Sequence, residues 1–213
     1  MTVQEQHDYF DLLLDKEGDP YFTRENKDLY LNMAHLEYIK RMLPSNEGGS
    51  VNIEATQLVY NNLYTLVKEL SGFTMDAGGL VPTANIQTSL NTATSGTDPL
   101  MYIMNVSMNG YPVQYTRHND WYMFETNSLK KGTTTQPRYK YDTSNITFSP
   151  ISQAAAIKIT VLKTPRSVDF QNGVNSELPE HTHKSITELA VELASVSLRE
   201  GDLTQLNSLQ ENK

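Results

Sequence analysis

The chain has 213 residues and 24.1 kDa, with 17 Lys and Arg against 25 Asp and Glu, a net charge of −8. That length suits one hydrophobic core or two small ones. The acidic excess argues against non-specific attraction to a phosphate backbone, and the absence of Cys excludes a disulfide framework, a thiolate zinc site and a thiol nucleophile.

The first stretch reads as helix. Tyr9, Phe10, Leu13 and Leu14 fall at helical spacing over Gln4 to Leu14, and Glu17-Gly18-Asp19-Pro20 stops the run. Thr23 suits an N-cap, with Glu25 in the first turn of a long helix that ends near Leu43, before Pro44 and the loop Ser45 to Ser50. Its expected apolar stripe is Leu29, Tyr30, Met33, Leu36 and Ile39. A third helix is expected from Asn52 or Ile53 to Leu70, its apolar face built from Leu58, Val59, Leu63, Leu66, Val67 and Leu70.

The period then changes to two. Asn85–Leu90, Leu100–Met108, Tyr111–Thr116, Trp121–Glu125, Arg138–Tyr141, Asn145–Phe148 and Ile157–Leu162 are short β-branched or aromatic runs separated by turn residues, and they predict a small antiparallel sheet or sandwich. Asn109-Gly110 is the clearest hairpin signal, because both residues accept the positive φ of a type I′ turn. Helix returns after Leu178-Pro179, with Ile186, Leu189, Ala190, Leu193 and Ser197 on one face. Beyond Gly201 lies a polar tail in which Leu203, Leu206 and Leu209 repeat every three residues; it either docks as a helix on a neighbouring protein or is a disordered end.

The predicted fold is therefore α+β: a helical domain formed by residues 1–80 and a returning helix over 171–200, an inserted antiparallel β domain over 81–170, and a tail over 201–213. Charge follows the same division, with balances of −7 for residues 1–80, +3 for 81–170 and −4 for 171–213.

A search for chemistry finds no active site. Glu180-His181-Thr182-His183 offers a His-x-His pair, but residues two apart diverge on a helix, and no third His lies nearby; a structural start to the helix is expected, not a metal site. His7, His35 and His118 stand alone. No Gly-x-Ser-x-Gly elbow or phosphate loop is present, and the cluster Asp8, Asp11, Asp15, Glu17 and Asp19 lacks the order of a calcium loop. No catalytic, metal-binding or cofactor-binding residue is expected. Trp121, Tyr122 and Phe124 lie in one aromatic run and serve either as a sheet anchor or as a platform for a partner or a glycan. Lys130, Lys131, Arg138 and Lys140 form a basic bracket around a Thr-rich loop. Met1 to Phe10 lacks the pattern of a secretory signal, and with a mean hydropathy of −0.48 no window predicts a membrane-spanning helix.

Two segments carry a family resemblance. Tyr9-Phe10-Asp11-Leu12-Leu13-Leu14-Asp15-Lys16 with Pro20-Tyr21-Phe22-Thr23, and Leu178-Pro179-Glu180-His181-Thr182-His183 running into Ile186, Leu189, Ala190 and Val191, together resemble head-to-tail connector (neck ring or adaptor) proteins of tailed phages, especially crAss-like phages of Bacteroides. The resemblance covers residues 8–45 and 178–200. It implies a structural virion protein without enzymatic activity, assembled in the bacterial cytoplasm as a closed ring, commonly twelve-fold. The ring's partners would be itself, the portal and other neck or tail proteins, with genomic DNA passing through its lumen without tight binding and no membrane involved. The alternative is a binding module that recognises a glycan or a host surface through its β domain.

Overall fold

A computed structural model of the chain describes residues 1–14, 22–43, 53–94, 96, 98–142 and 144–211, without the side chains of 53–56 and 198–211. The stop at Glu17 to Pro20, Tyr21, and the loop Pro44 to Ser50 lie outside the described residues. The fold is α+β, with two compact units formed by residues 1–65 with 165–213 and by residues 66–164. The first unit carries 9 Lys and Arg against 19 Asp and Glu, a balance of −10; the second carries 8 against 6, a balance of +2.

In the helical unit, α1 (Val3–Leu13) begins at a capping box, where the Thr2 hydroxyl accepts from Glu5 N and the Glu5 carboxylate accepts from Thr2 N. Helix α2 (Arg24–Met42) is capped by Thr23, whose hydroxyl accepts from Asn26 N. Helix α3 (Ile53–Leu63) follows, and a 3-10 turn at Glu180–Thr182 leads into α6 (His183–Glu211). Helices α1 and α2 both pack on α6, burying Phe10, Leu31, Ala34, Ile39, Ile186, Leu189, Ala190 and Ala194. Leu193 stays half-buried, and α6 continues through Gly201 to Glu211 without a break.

The buried face of α2 differs from the stripe expected for it. Leu29, Met33 and Leu36 point outward, while Lys27, Leu31, Ala34, His35 and Ile39 point inward. Hydrogen bonding decides between the two faces. Asp28, Asn32 and His35 hold the segment 168–176 along the helix: Asp28 Oδ2 accepts from Phe170 N, Asn32 bonds both Val168 N and Val168 O, and His35 meets the Ser176 hydroxyl. Lys27 is buried in an ion pair with Asp11. A face of satisfied polar groups can therefore be the inner one.

The second unit has two four-stranded sheets. In the first, β1 (Val67–Phe73), β8 (Ile157–Lys163), β3 (Leu100–Met108) and β4 (Tyr111–Pro112) lie in that order, all antiparallel. In the second, β2 (Leu80–Pro82), β7 (Asn145–Ser149), β6 (Arg138–Tyr141) and β5 (Gln114–Tyr115) are neighbours, and the β5–β6 pair is parallel, a departure from the antiparallel expectation. The turn between β3 and β4 has Asn109 at φ 53° and Gly110 at φ 84°, the positive pair a type I′ hairpin requires. One core joins the two sheets through Phe73, Val106, Met108, Ile146, Phe148, Ile157, Ile159 and Val161.

Three expected elements are corrected. The third helix ends at Leu63, and Val67 to Leu70 belong to β1, where pairing with β8 outweighs helical spacing. Asn85–Leu90 lies in a helix, α4 (Thr83–Thr94), with Ile86 and Leu90 buried four residues apart. Its Thr88, Thr92 and Thr94 hydroxyls donate to carbonyls four residues back, so residues with strand propensity are accommodated in a helix. Trp121–Glu125 is not a strand but part of α5 (His118–Thr126). Spacing of i, i+3 turns Trp121 and Phe124 toward one side, where they face β6.

Candidate interaction surfaces

Three places gather polar or apolar side chains that the sequence singles out. The first is the start of α6. His183 is buried, and both ring nitrogens face carbonyl oxygens, Nδ1 at 3.0 Å from Met1 O and Nε2 at 2.8 Å from Leu178 O. A neutral imidazole donates only one of these bonds, whereas the imidazolium donates both. His181 is exposed and bonds Asn62 Oδ1 through Nε2 at 2.9 Å. The two imidazoles thus serve separate partners. Among the described residues no group of three or more His, Asp or Glu side chains is placed to hold a metal ion.

Helix α1 meets the same region. Tyr9 donates its hydroxyl to Glu188 Oε1 at 3.1 Å, and Lys184 lies over the Tyr9 ring. Deeper in, His35 Nδ1 donates to Leu31 O at 2.7 Å, and Nε2 accepts from the Ser176 hydroxyl at 2.7 Å. Burial pushes the His35 imidazole down to about 4, aided by the nearby His183 and opposed by the Leu31 carbonyl. His7 stacks on Phe170 and bonds Asp28 Oδ1; burial holds it below its ordinary value against the pull of that carboxylate. These groups are part of the interior scaffold of the unit.

The second place is α5. None of its residues is fully buried. Trp121 and Phe124 are half-buried, and their rings are covered by Lys140 Nζ at 5.7 Å and the Arg138 guanidinium at 4.2 Å. Tyr122, at 79 % exposure, is the only one of the three aromatic candidates that projects into solvent. Met123, 68 % exposed, and Leu129, 94 % exposed on the turn after α5, are further apolar side chains that face solvent. Neither a family model nor any curated protein matches this chain.

The turn carrying Leu129 is held firmly. Asn127 Oδ1 accepts from Leu129 N, and Asn127 O accepts from both Lys130 N and Lys131 N. Gly132 then packs on the end of β7 so closely that a Cβ there would sit 2.2 Å from Ser149 O. Lys131 pairs with Glu125 at 3.3 Å, and Lys130 is exposed.

The third place is a cleft of ≈ 710 Å³ at the start of α2, bounded by Arg24, Glu25, Asp28, Leu29 and the segment Ser167 to Gln171. Its lining includes the carboxylates of Glu25, Asp28 and Asp169, and Arg24, which is turned onto the Phe170 ring at 4.4 Å. Hydrogen bonds from Asn172 hold the Asp169 carboxyl below its ordinary range, so it is charged. Leu29 continues from the cleft into the outward stripe with Met33 and Leu36. The side chains of Leu203, Leu206 and Leu209 lie outside the described residues. No described helix is long and apolar enough to cross a membrane.

Proposed function

We propose that the protein is a structural subunit of a phage virion, forming a closed ring at the head-to-tail interface and continuing the channel from portal to tail. The observation that supports this reading best is the meeting of the two segments that carry the connector resemblance. Tyr9 of the first bonds Glu188 of the second, and Lys184 of the second lies over the Tyr9 ring. A subunit of this kind needs rigid faces and no reactive group. An acidic helical unit of balance −10 also suits a channel wall past which DNA slides, since like charge prevents tight capture.

Native mass spectrometry of the purified full chain tests the proposal. A closed oligomer at a fixed multiple of 24.1 kDa, commonly twelve-fold, is the expected result. A chain that stays monomeric at all concentrations overturns it. Recovery of the protein in purified virions places the ring at its site, and absence from them overturns the virion assignment.

A further inference from the structure

The two exposed surfaces described above carry opposite charge at Lys130 and Glu25, each beside an exposed leucine. One is a knob: Leu129 stands 94 % exposed on a turn braced by Asn127 and by the close approach of Gly132 to Ser149, with Lys130, also exposed, next to it in the chain. The other is a hollow: the cleft at the start of α2 is lined by Leu29, 56 % exposed, and by Glu25, Asp28 and Asp169, with Arg24 held on the Phe170 ring. The knob lies in the unit of balance +2 and the hollow in the unit of balance −10.

We propose that the Leu129-Lys130 turn of one copy seats in the α2 cleft of the next copy, making the head-to-tail contact of the assembly. This rests on the ring reading. A heterologous contact joins two different surfaces of the same chain, so each copy offers one knob and one free hollow, and growth continues until the ring closes. Leu129 supplies the apolar anchor against Leu29, and the Lys130 ammonium meets the Glu25 carboxylate. Opposite charge at the rim sets register and speeds encounter, and the buried leucine provides the affinity. A rigid turn limits the ordering cost of docking.

The chain has no Cys, so an introduced pair reports a single contact. The full chain carrying both Leu29→Cys and Leu129→Cys is expected to give a ladder of disulfide-linked multimers on mild oxidation. A mixture of the two single variants is expected to give a one-to-one dimer. Lys130→Glu is expected to weaken assembly at least tenfold, and Lys130→Glu with Glu25→Lys to restore it; both residues are exposed, so neither change disturbs the core, and circular dichroism checks that each variant is folded. Rings that form without the cross-link and tolerate Lys130→Glu overturn this contact and leave the ring reading standing. A wild-type chain that remains monomeric and cross-links nowhere overturns both. Flotation of an unassembled chain on phosphatidylserine vesicles, abolished by Leu129→Glu, overturns the contact in favour of a lipid surface.

Discussion

At the residue scale, two buried positions show how local chemistry sets stability. His35 is held neutral between the Leu31 carbonyl and the Ser176 hydroxyl, with its imidazole lowered from 6.5 to about 4 by burial. Between those values the unfolded chain binds a proton that the folded chain refuses, so acidification favours unfolding. The contribution is complete above pH 6.5 and is lost as the pH falls toward about 4. At about 1.4 kcal/mol per pH unit it is bounded near ~3 kcal/mol. His35→Gln is expected to flatten the fall in urea midpoint over that window, while lowering stability at pH 7 by about 1–3 kcal/mol. An unchanged slope would show that other groups carry the acid sensitivity. Gly132 is a steric case, because its backbone needs no unusual φ and only space is at issue. A Cβ would lie 2.2 Å from Ser149 O and 2.7 Å from Ser149 C, both backbone atoms. Gly132→Ala is expected to cost about 1–3 kcal/mol in equilibrium unfolding, since the turn must move off β7.

At the scale of elements, α4 and α5 show where residue preference and context diverge. In α4, Thr88 and Thr92 are exposed, and each hydroxyl only returns to its own helix. Thr88→Ala and Thr92→Ala are therefore expected to raise stability by roughly 0.5 kcal/mol each, because Ala is the better helix former. In a strand the same changes would lower it, so thermal melts of the two variants read out the element directly. The strands with β-branched or aromatic alternation, such as Leu100–Met108 and Arg138–Tyr141, are legible in the sequence to the residue, as are Thr23 as a cap and Asn109-Gly110 as a turn. The misleading signals in α4 and α5 share one cause. Thr, Tyr and Trp suit a pleated surface in general, but Ile86 with Leu90 and Trp121 with Phe124 carry helical spacing within those same runs. The α2 stripe inverts for a related reason: the more apolar face is visible in sequence, whereas the bonds from Asp28, Asn32 and His35 to residues 141 or 142 or 136 positions away are not. Leu129 and the α2 cleft are likewise invisible, since exposure is a tertiary property. Among the aromatic candidates only Tyr122 keeps a free face, because Arg138 and Lys140 are brought over the other two rings by β6.

At the scale of the whole molecule, the chain leaves its helical unit once and returns once. The excursion begins and ends on paired neighbours: Lys163 N donates to Leu66 O at 3.1 Å, so β1 opens the unit of residues 66–164 beside β8, which closes it. Its core, from Leu70 to Val161, draws every buried side chain from within that span. The buried pair of Lys163 with Asp98, at 2.8 Å, also lies inside it and fixes the exit strand, an ion pair that becomes costly if either partner is removed. A core of its own and ends that meet are the two conditions for independent folding. Residues 66–164 expressed alone are therefore expected to unfold cooperatively in urea and to show dispersed amide resonances. With a balance of +2 they should also bind a cation exchanger at pH 7, whereas the full chain, at −8, binds an anion exchanger. Collapsed amide dispersion in the excised segment would mean that its sheets depend on the helical unit, and insertion would then be a description of chain order only.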